Sequence, residues 1–211
     1  MNKILRNFLV VVGAVVALVV LYFFYLQTHQ VEIAKQSQLA SLLAGEEQFI
    51  QFDQPKKSTD CHVRGSLPDP DCTPGAVFQD ATKEVVCVSG YSKTVRSVSV
   101  SLKKKVFSEY GISYPVPFGS YEVDHLIPLA LGGDNDIANL FPESAEPYPG
   151  FREKDVVENY LHQEVCADRV ALSVAQKQIA DNWLEVYNNL DPRVVEEFKK
   201  RFRSWADRGS E

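Results

Sequence analysis

The chain has 211 residues, 45% of them apolar and 24% charged, with 11 glycines, 11 prolines and a formal net charge of −6. That length suits one compact domain with an appendage, and the apolar content excludes a disordered chain. No fixed-period repeat or Gly-x-y pattern is present, which excludes solenoids and collagen-like chains, and the negative charge excludes general basicity as a way of holding nucleic acid.

Phe8 to Leu26 reads FLVVVGAVVALVVLYFFYL, 19 residues without a charge. At ~1.5 Å per residue a helix of that length spans roughly 28 Å, close to the hydrocarbon thickness of a bilayer. A cleaved secretory signal is the alternative, because Lys3 and Arg6 also make an n-region. Against cleavage, the run is longer than a usual h-region and no small-x-small site follows it. Tyr22, Phe23, Phe24 and Tyr25 instead form an interfacial aromatic cluster, so residues 8–26 are expected to be a retained transmembrane anchor. Lys3 and Arg6 precede the span, whereas Glu32 and Lys35 nearly balance after it. The positive-inside rule then puts residues 1–7 in the cytoplasm and everything beyond the span outside.

The four cysteines, Cys61, Cys72, Cys87 and Cys166, all follow the span, and an even count on the exported side points to two disulfides. Of the three connectivities, Cys61–Cys72 with Cys87–Cys166 is favoured, a short local loop plus a long-range staple. A zinc site is disfavoured, because no Cys-x-x-Cys spacing occurs.

Residues 27–59 are polar, rich in Gln and Ser, and read as a helical stalk fading into a linker. From Asp60 to Glu211 the chain reads as one exported domain, whose first stretch is a turn-rich loop with Pro68, Pro70 and Pro74. EVVCVSGY (84–91) reads as a short β-prone run, and SLKKKVFSEYG (101–111) as a short helix stopped by Gly111. Helices are expected from Arg152 to Cys166, from a capping box at Ser173–Gln176, and from Asp191-Pro192. Their apolar stripes (Ala175, Ile179, Trp183, Val186 and Leu190; Val195, Phe198, Phe202 and Trp205) read as core faces, with a partner-helix surface as the alternative for the last.

One stretch carries chemistry: YEVDHLIPLALGGDNDIANLFPE, residues 121–143. Glu122 to Leu126 is β-prone and ends in an adjacent Asp-His pair. The Asp124 carboxylate is a hard oxygen ligand for Mg²⁺, Mn²⁺ or Ca²⁺, and the His125 imidazole is able to take a proton from water at neutral pH. Gly132-Gly133-Asp134-Asn135 is a turn sequence, and Asn139-Leu140 borders a returning strand. A buried Asn would pin the intervening loop through backbone hydrogen bonds.

Asp124-His125-Leu-Ile-Pro128, followed by Gly132-Gly133-x-Asn135 and Asn139-Leu140, resembles the motif of HNH (ββα-metal, or His-Me finger) nucleases. The resemblance extends over roughly residues 60–190, to a secreted or membrane-attached bacterial subgroup. It includes Cys-x-x-Gly-Tyr at 87–91, Lys-Asp-x-x-Glu at 154–158, Val-Cys at 165–166 and an Ala-Gln helix ending in Trp183. It implies an α+β domain in which a β-hairpin and helix (core motif 121–166) sit within a mostly helical, disulfide-stapled body carrying the N-terminal anchor. It also implies metal-dependent hydrolysis of phosphodiesters, with DNA as substrate and RNA as the alternative; the span and its flanking charges put that activity on the outer side of a bacterial cytoplasmic membrane.

In that scheme His125 is the general base, and Asp124 binds one divalent cation, Mg²⁺ before Mn²⁺ or Ca²⁺. Asn139 pins the loop, and Asn135 is the second candidate for that role or a substrate contact. The helix offers no His or Asn where the family places a second ligand. Helical geometry ranks Glu158 first, Asp155 second and His162 third. Lys154 either pairs with Glu158 on the surface or meets a substrate phosphate. Without residues 1–26 the remaining chain has 20 bases against 28 acids, so phosphate contact has to come from a local edge such as Lys93, Arg96, Lys103, Lys104 and Lys105. A non-catalytic binding module on the same scaffold, and a structural envelope protein, are the competing readings.

Overall fold

The computed structural model describes residues 20–27, 29–31 and 51–202. The chain divides into two units, residues 1–46 and 47–211. In the first, residues 20–27 and 29–31 are helical. Residues 8–19 of the expected anchor lie outside the described residues, as do residues 32–50 of the expected stalk and Trp205. Among the described residues no helix is long and apolar enough to cross a membrane.

The second unit mixes helices with a two-stranded antiparallel sheet. It opens on the loop closed by the Cys61–Cys72 disulfide. Asp69 organises that loop: its carboxylate accepts from the backbone N–H of His62 and of Asp71, at 3.0 and 3.1 Å, and pairs with Lys57 at 2.9 Å. The stretch read as β-prone is helical instead, as two short turns, α1 (Lys83–Val86) and α2 (Tyr91–Val95). Local β propensity is overridden by packing: Val86 joins the core and Cys87 is bonded to Cys166. Between the turns Gly90 takes a φ of +84°, a left-handed conformation that suits glycine. Helix α3 (Val100–Glu109) starts on Ser99, whose hydroxyl accepts from the Leu102 N–H at 3.2 Å, and turns away at Gly111 (φ +65°).

Strand β1 (Tyr121–His125) pairs antiparallel with β2 (Leu140–Ser144), with Glu122 opposite Glu143, Asp124 opposite Phe141 and His125 opposite Leu140. The connection carries two short 3₁₀ turns, Leu129–Leu131 and Ile137–Asn139. After β2 comes α4 (Phe151–Cys166), then α5 (Leu172–Asn189) and α6 (Pro192–Arg201). The expected capping box at Ser173 does not form. Helix α5 begins two residues earlier, with Ala171 at the N-cap, and Gln176 turns inward to donate to the Leu131 carbonyl at 2.8 Å. Helix α5 is also kinked at Asn182, where the side-chain oxygen accepts from the Glu185 N–H at 3.3 Å and so caps the second stretch. Helix α6 starts as expected, with the Asp191 carboxylate accepting from the Arg193 N–H.

The core gathers Val156, Val157, Leu161 and Val165 of α4, Ala175, Ile179 and Trp183 of α5, Phe198 of α6, and Ile127 and Leu131 from the hairpin connection. The Cys87–Cys166 bond ties the end of α4 to the turn after α1. Helix α4 is therefore fixed at its far end by a covalent bond and along its length by apolar burial. That leaves its first turns to meet the sheet.

Candidate functional site

The loop between the strands is held from within. Asn139 is fully buried; its Nδ2 donates to the carbonyls of Ile127 (2.9 Å) and Asp134 (3.0 Å), and its Oδ1 accepts from the Ile127 N–H (2.9 Å). One amide thus satisfies three backbone groups from both ends of the loop. Gly133 is required by the same clamp: a Cβ there would stand 1.7 Å from the Ile127 carbonyl oxygen and 2.9 Å from Asn139 Nδ2. The expected loop-pinning role falls to Asn139.

Asn135 serves a different purpose. Its Nδ2 donates to the Val95 carbonyl at 2.8 Å, and its Oδ1 accepts from the Ser97 N–H at 3.0 Å, which fixes the orientation of the amide. The same Oδ1 lies 3.3 Å from His125 Nε2. Since that oxygen only accepts, Nε2 carries the hydrogen and Nδ1 the lone pair. His125 is 2% exposed. Burial pulls its pKa below the ordinary histidine value, with the nearby Arg96 and Lys154 charges pulling the same way, against Asp124 and Asn135.

Asp124 and His125, as neighbours on β1, leave the strand on opposite sides. The Asp124 side chain, 19% exposed, meets α4, where Lys154 Nζ donates to its Oδ2 at 2.7 Å. Lys154 is completely buried. Its ammonium also donates to the His125 carbonyl at 2.7 Å and to Glu158 Oε1, and lies 3.8 Å from Glu143 Oε2. The expected Lys154–Glu158 pair is present, but inside the protein rather than on a solvated face, and the Lys154 side chain has no exposed surface.

Electrostatics divide these carboxyls. Burial would raise Asp124, but the charges of Lys154 and His125 outweigh it and hold it down to about 2. For Glu158 burial wins and pushes the carboxyl up to about 8. Burial raises Glu143 well above the ordinary range, and the surrounding carboxylates hold Lys154 well above its own despite burial. Asp124 and Lys154 form the charged pair; Glu143 and Glu158 are the groups that burial makes reluctant to ionise.

Glu122 and Glu143 are the residues that sequence reasoning passed over. Ligand oxygens of Glu122, Asp124 and Glu143 all lie within 4.8 Å of one another. Both oxygens of Glu143 are buried without a hydrogen-bond partner. The signal was available in outline: residues 122 and 124 share a strand face by alternation, but pairing 143 with 122 needs the register. An all-oxygen set around an orphaned buried carboxylate fits a hard divalent cation such as Mg²⁺, Mn²⁺ or Ca²⁺. Asp155 lies half-buried on α4, where its charge helps to raise Glu158. His162 is directed elsewhere, its Nε2 lying 3.1 Å from the Val86 carbonyl and 3.4 Å from Cys166 Sγ. Lys93, Arg96, Lys103, Lys104 and Lys105 are exposed. No family model, curated protein or solved structure matches this chain.

Proposed function

We propose that this chain is a divalent-metal-dependent phosphodiester hydrolase of the HNH type, acting on DNA without sequence readout, on the outer face of a bacterial cytoplasmic membrane to which residues 8–26 anchor it. The observation that carries the reading is the Asp124-His125 pair at the end of β1, with the imidazole oriented by Asn135 and the loop clamped by Asn139. Two strands followed by α4 supply the hairpin and helix of a ββα-metal finger.

His125 is the general base. With Nε2–H held by Asn135, Nδ1 accepts the proton of the attacking water, and burial keeps the ring in the neutral form that this requires. Asp124 would hold the cation. When bound, a divalent ion stabilises the charge that develops on the phosphate and on the leaving oxygen. Asn135 is a positioning residue, since it acts through the imidazole. Arg96, exposed and close enough for its charge to act on His125, is suited to hold a substrate phosphate. Lys154, in contrast, is committed to the interior and holds Asp124 in place.

Purified protein is expected to nick supercoiled plasmid in Mg²⁺ or Mn²⁺ and to stop when EDTA is added. His125→Ala should lower the rate by roughly 10²–10⁴-fold, the usual contribution of a general base. Full activity in that variant would remove His125 from the chemistry. Absence of nicking by the wild-type chain with any divalent ion would favour the non-catalytic binding module.

A further inference from the structure

Three acids share one face of the two-stranded sheet. Glu122 and Asp124 are two apart on β1, and Glu143 stands directly across from Glu122 on β2. Like charges placed opposite each other across a strand pair destabilise it. Here one member of the pair is also stripped of solvent: Glu143 is 1% exposed and neither of its oxygens is hydrogen-bonded. A buried carboxyl group without hydrogen-bond partners is unfavourable whether it is ionised or neutral, and native folds tolerate one where something else supplies the missing interaction. Lys154 does so only in part, since its Nζ is 3.8 Å from Glu143, beyond hydrogen-bonding reach, and bonds instead to Asp124, His125 and Glu158.

Resting on the hydrolase reading above, we infer that the second protein ligand of the cation is Glu143 of β2, with Glu122 beside it, rather than any residue of α4. The distances suit this. Hard cations bind oxygen at about 2.0–2.6 Å, so two ligands across one ion stand roughly 4.0–5.2 Å apart, and the oxygens of Glu122, Asp124 and Glu143 fall within 4.8 Å of one another. Glu122 and Asp124 are partly exposed and give an ion a way in, while Glu143 forms the floor. Glu158, the helix residue ranked first from the sequence, is not part of the carboxyl cluster that gathers within ion-binding distance among the described residues. On this assignment α4 contributes the buried ammonium that fixes Asp124, and the hairpin supplies the ligands from its two strands.

The test is Mn²⁺ binding to the full chain in detergent, followed by calorimetry and by the electron paramagnetic resonance signal of free Mn²⁺. Removing an outer-shell partner of a metal already costs 10–100-fold in affinity, so Glu143→Gln, a direct ligand here, should lose at least about 100-fold, as should Asp124→Asn. Glu158→Gln should stay within a few-fold of wild type. Thermal unfolding separates this from misfolding: metal-free Glu143→Gln should melt no lower than wild type, because the carboxyl it replaces has no hydrogen-bond partner to lose, yet should show no stabilisation by Mn²⁺. If Glu143→Gln binds Mn²⁺ like wild type and Glu158→Gln does not, the ligand is on the helix and this assignment falls while the hydrolase reading stands. If the wild-type chain neither binds Mn²⁺ nor nicks DNA, the hydrolase reading itself falls.

Discussion

Asn139 is the residue on which the geometry of the candidate site depends most directly. Its side chain makes three hydrogen bonds to backbone groups inside the protein, all at 2.9–3.0 Å. Replacing it with alanine leaves the Ile127 N–H, the Ile127 carbonyl and the Asp134 carbonyl without that partner. Each unsatisfied buried group costs about 1–3 kcal/mol. Asn139→Ala is therefore expected to lower the urea midpoint substantially and to lose nicking with it, whereas Asn135→Ala, which frees the His125 ring, should reduce activity with a smaller loss of stability. Equal stability in Asn139→Ala and wild type would mean that the clamp does not hold the loop. Asn139 was readable beforehand from its place in the motif that residues 124–140 resemble, with Asn135 as the second candidate. Lys154 and Glu143 were not. A Lys-x-x-x-Glu spacing looks the same whether its helix face meets water or a sheet, and only the packing of α4 on the hairpin makes it interior.

Among the elements, the two disulfides were legible from an even cysteine count and their spacing, and both occur as paired there. Helices α4 and α6 were legible from apolar period and from Asp191-Pro192. Residues 84–91 misled because Val85, Val86 and Val88 favour strands in isolation, whereas the covalent tie at Cys87 and the burial of Val86 set the local structure. The kink in α5 is not legible in the sequence because the apolar period runs through Asn182 unchanged. The two bonds close loops of very different size, with sequence separations of 11 and 79. In the chain-entropy model those lengths correspond to about 3 and about 4.5 kcal/mol of stabilisation. Replacing Cys87 and Cys166 with serine should therefore lower the thermal midpoint more than replacing Cys61 and Cys72. The long bond also fastens the far end of α4, so its loss should loosen the Asp124–Lys154 contact and weaken Mn²⁺ binding. A variant without Cys87–Cys166 that melts and binds like wild type would separate the staple from the site.

At the scale of the whole molecule, the 19 uncharged residues from Phe8 to Leu26 set the proposed location. Apolar residues at the centre of a span contribute roughly −0.3 to −0.6 kcal/mol each to insertion, while a charged one costs about 2.5–3.5 kcal/mol, so an uninterrupted run inserts strongly. On that proposal, Lys3 and Arg6 before the run, against a near balance after it, would orient the chain with its bulk outside, where two disulfides are chemically at home. The full chain is expected to remain in the membrane fraction after alkaline carbonate washing and to be released by detergent. A chain starting at residue 47, the boundary of the second unit, should be soluble and keep its plasmid-nicking activity. Protease added to spheroplasts should remove the domain and leave only the short N-terminal segment protected. Extraction by carbonate would replace the anchor with a cleaved signal or a peripheral contact. Protection of the domain from external protease would reverse the orientation and put both disulfides in a reducing compartment, where they are not maintained.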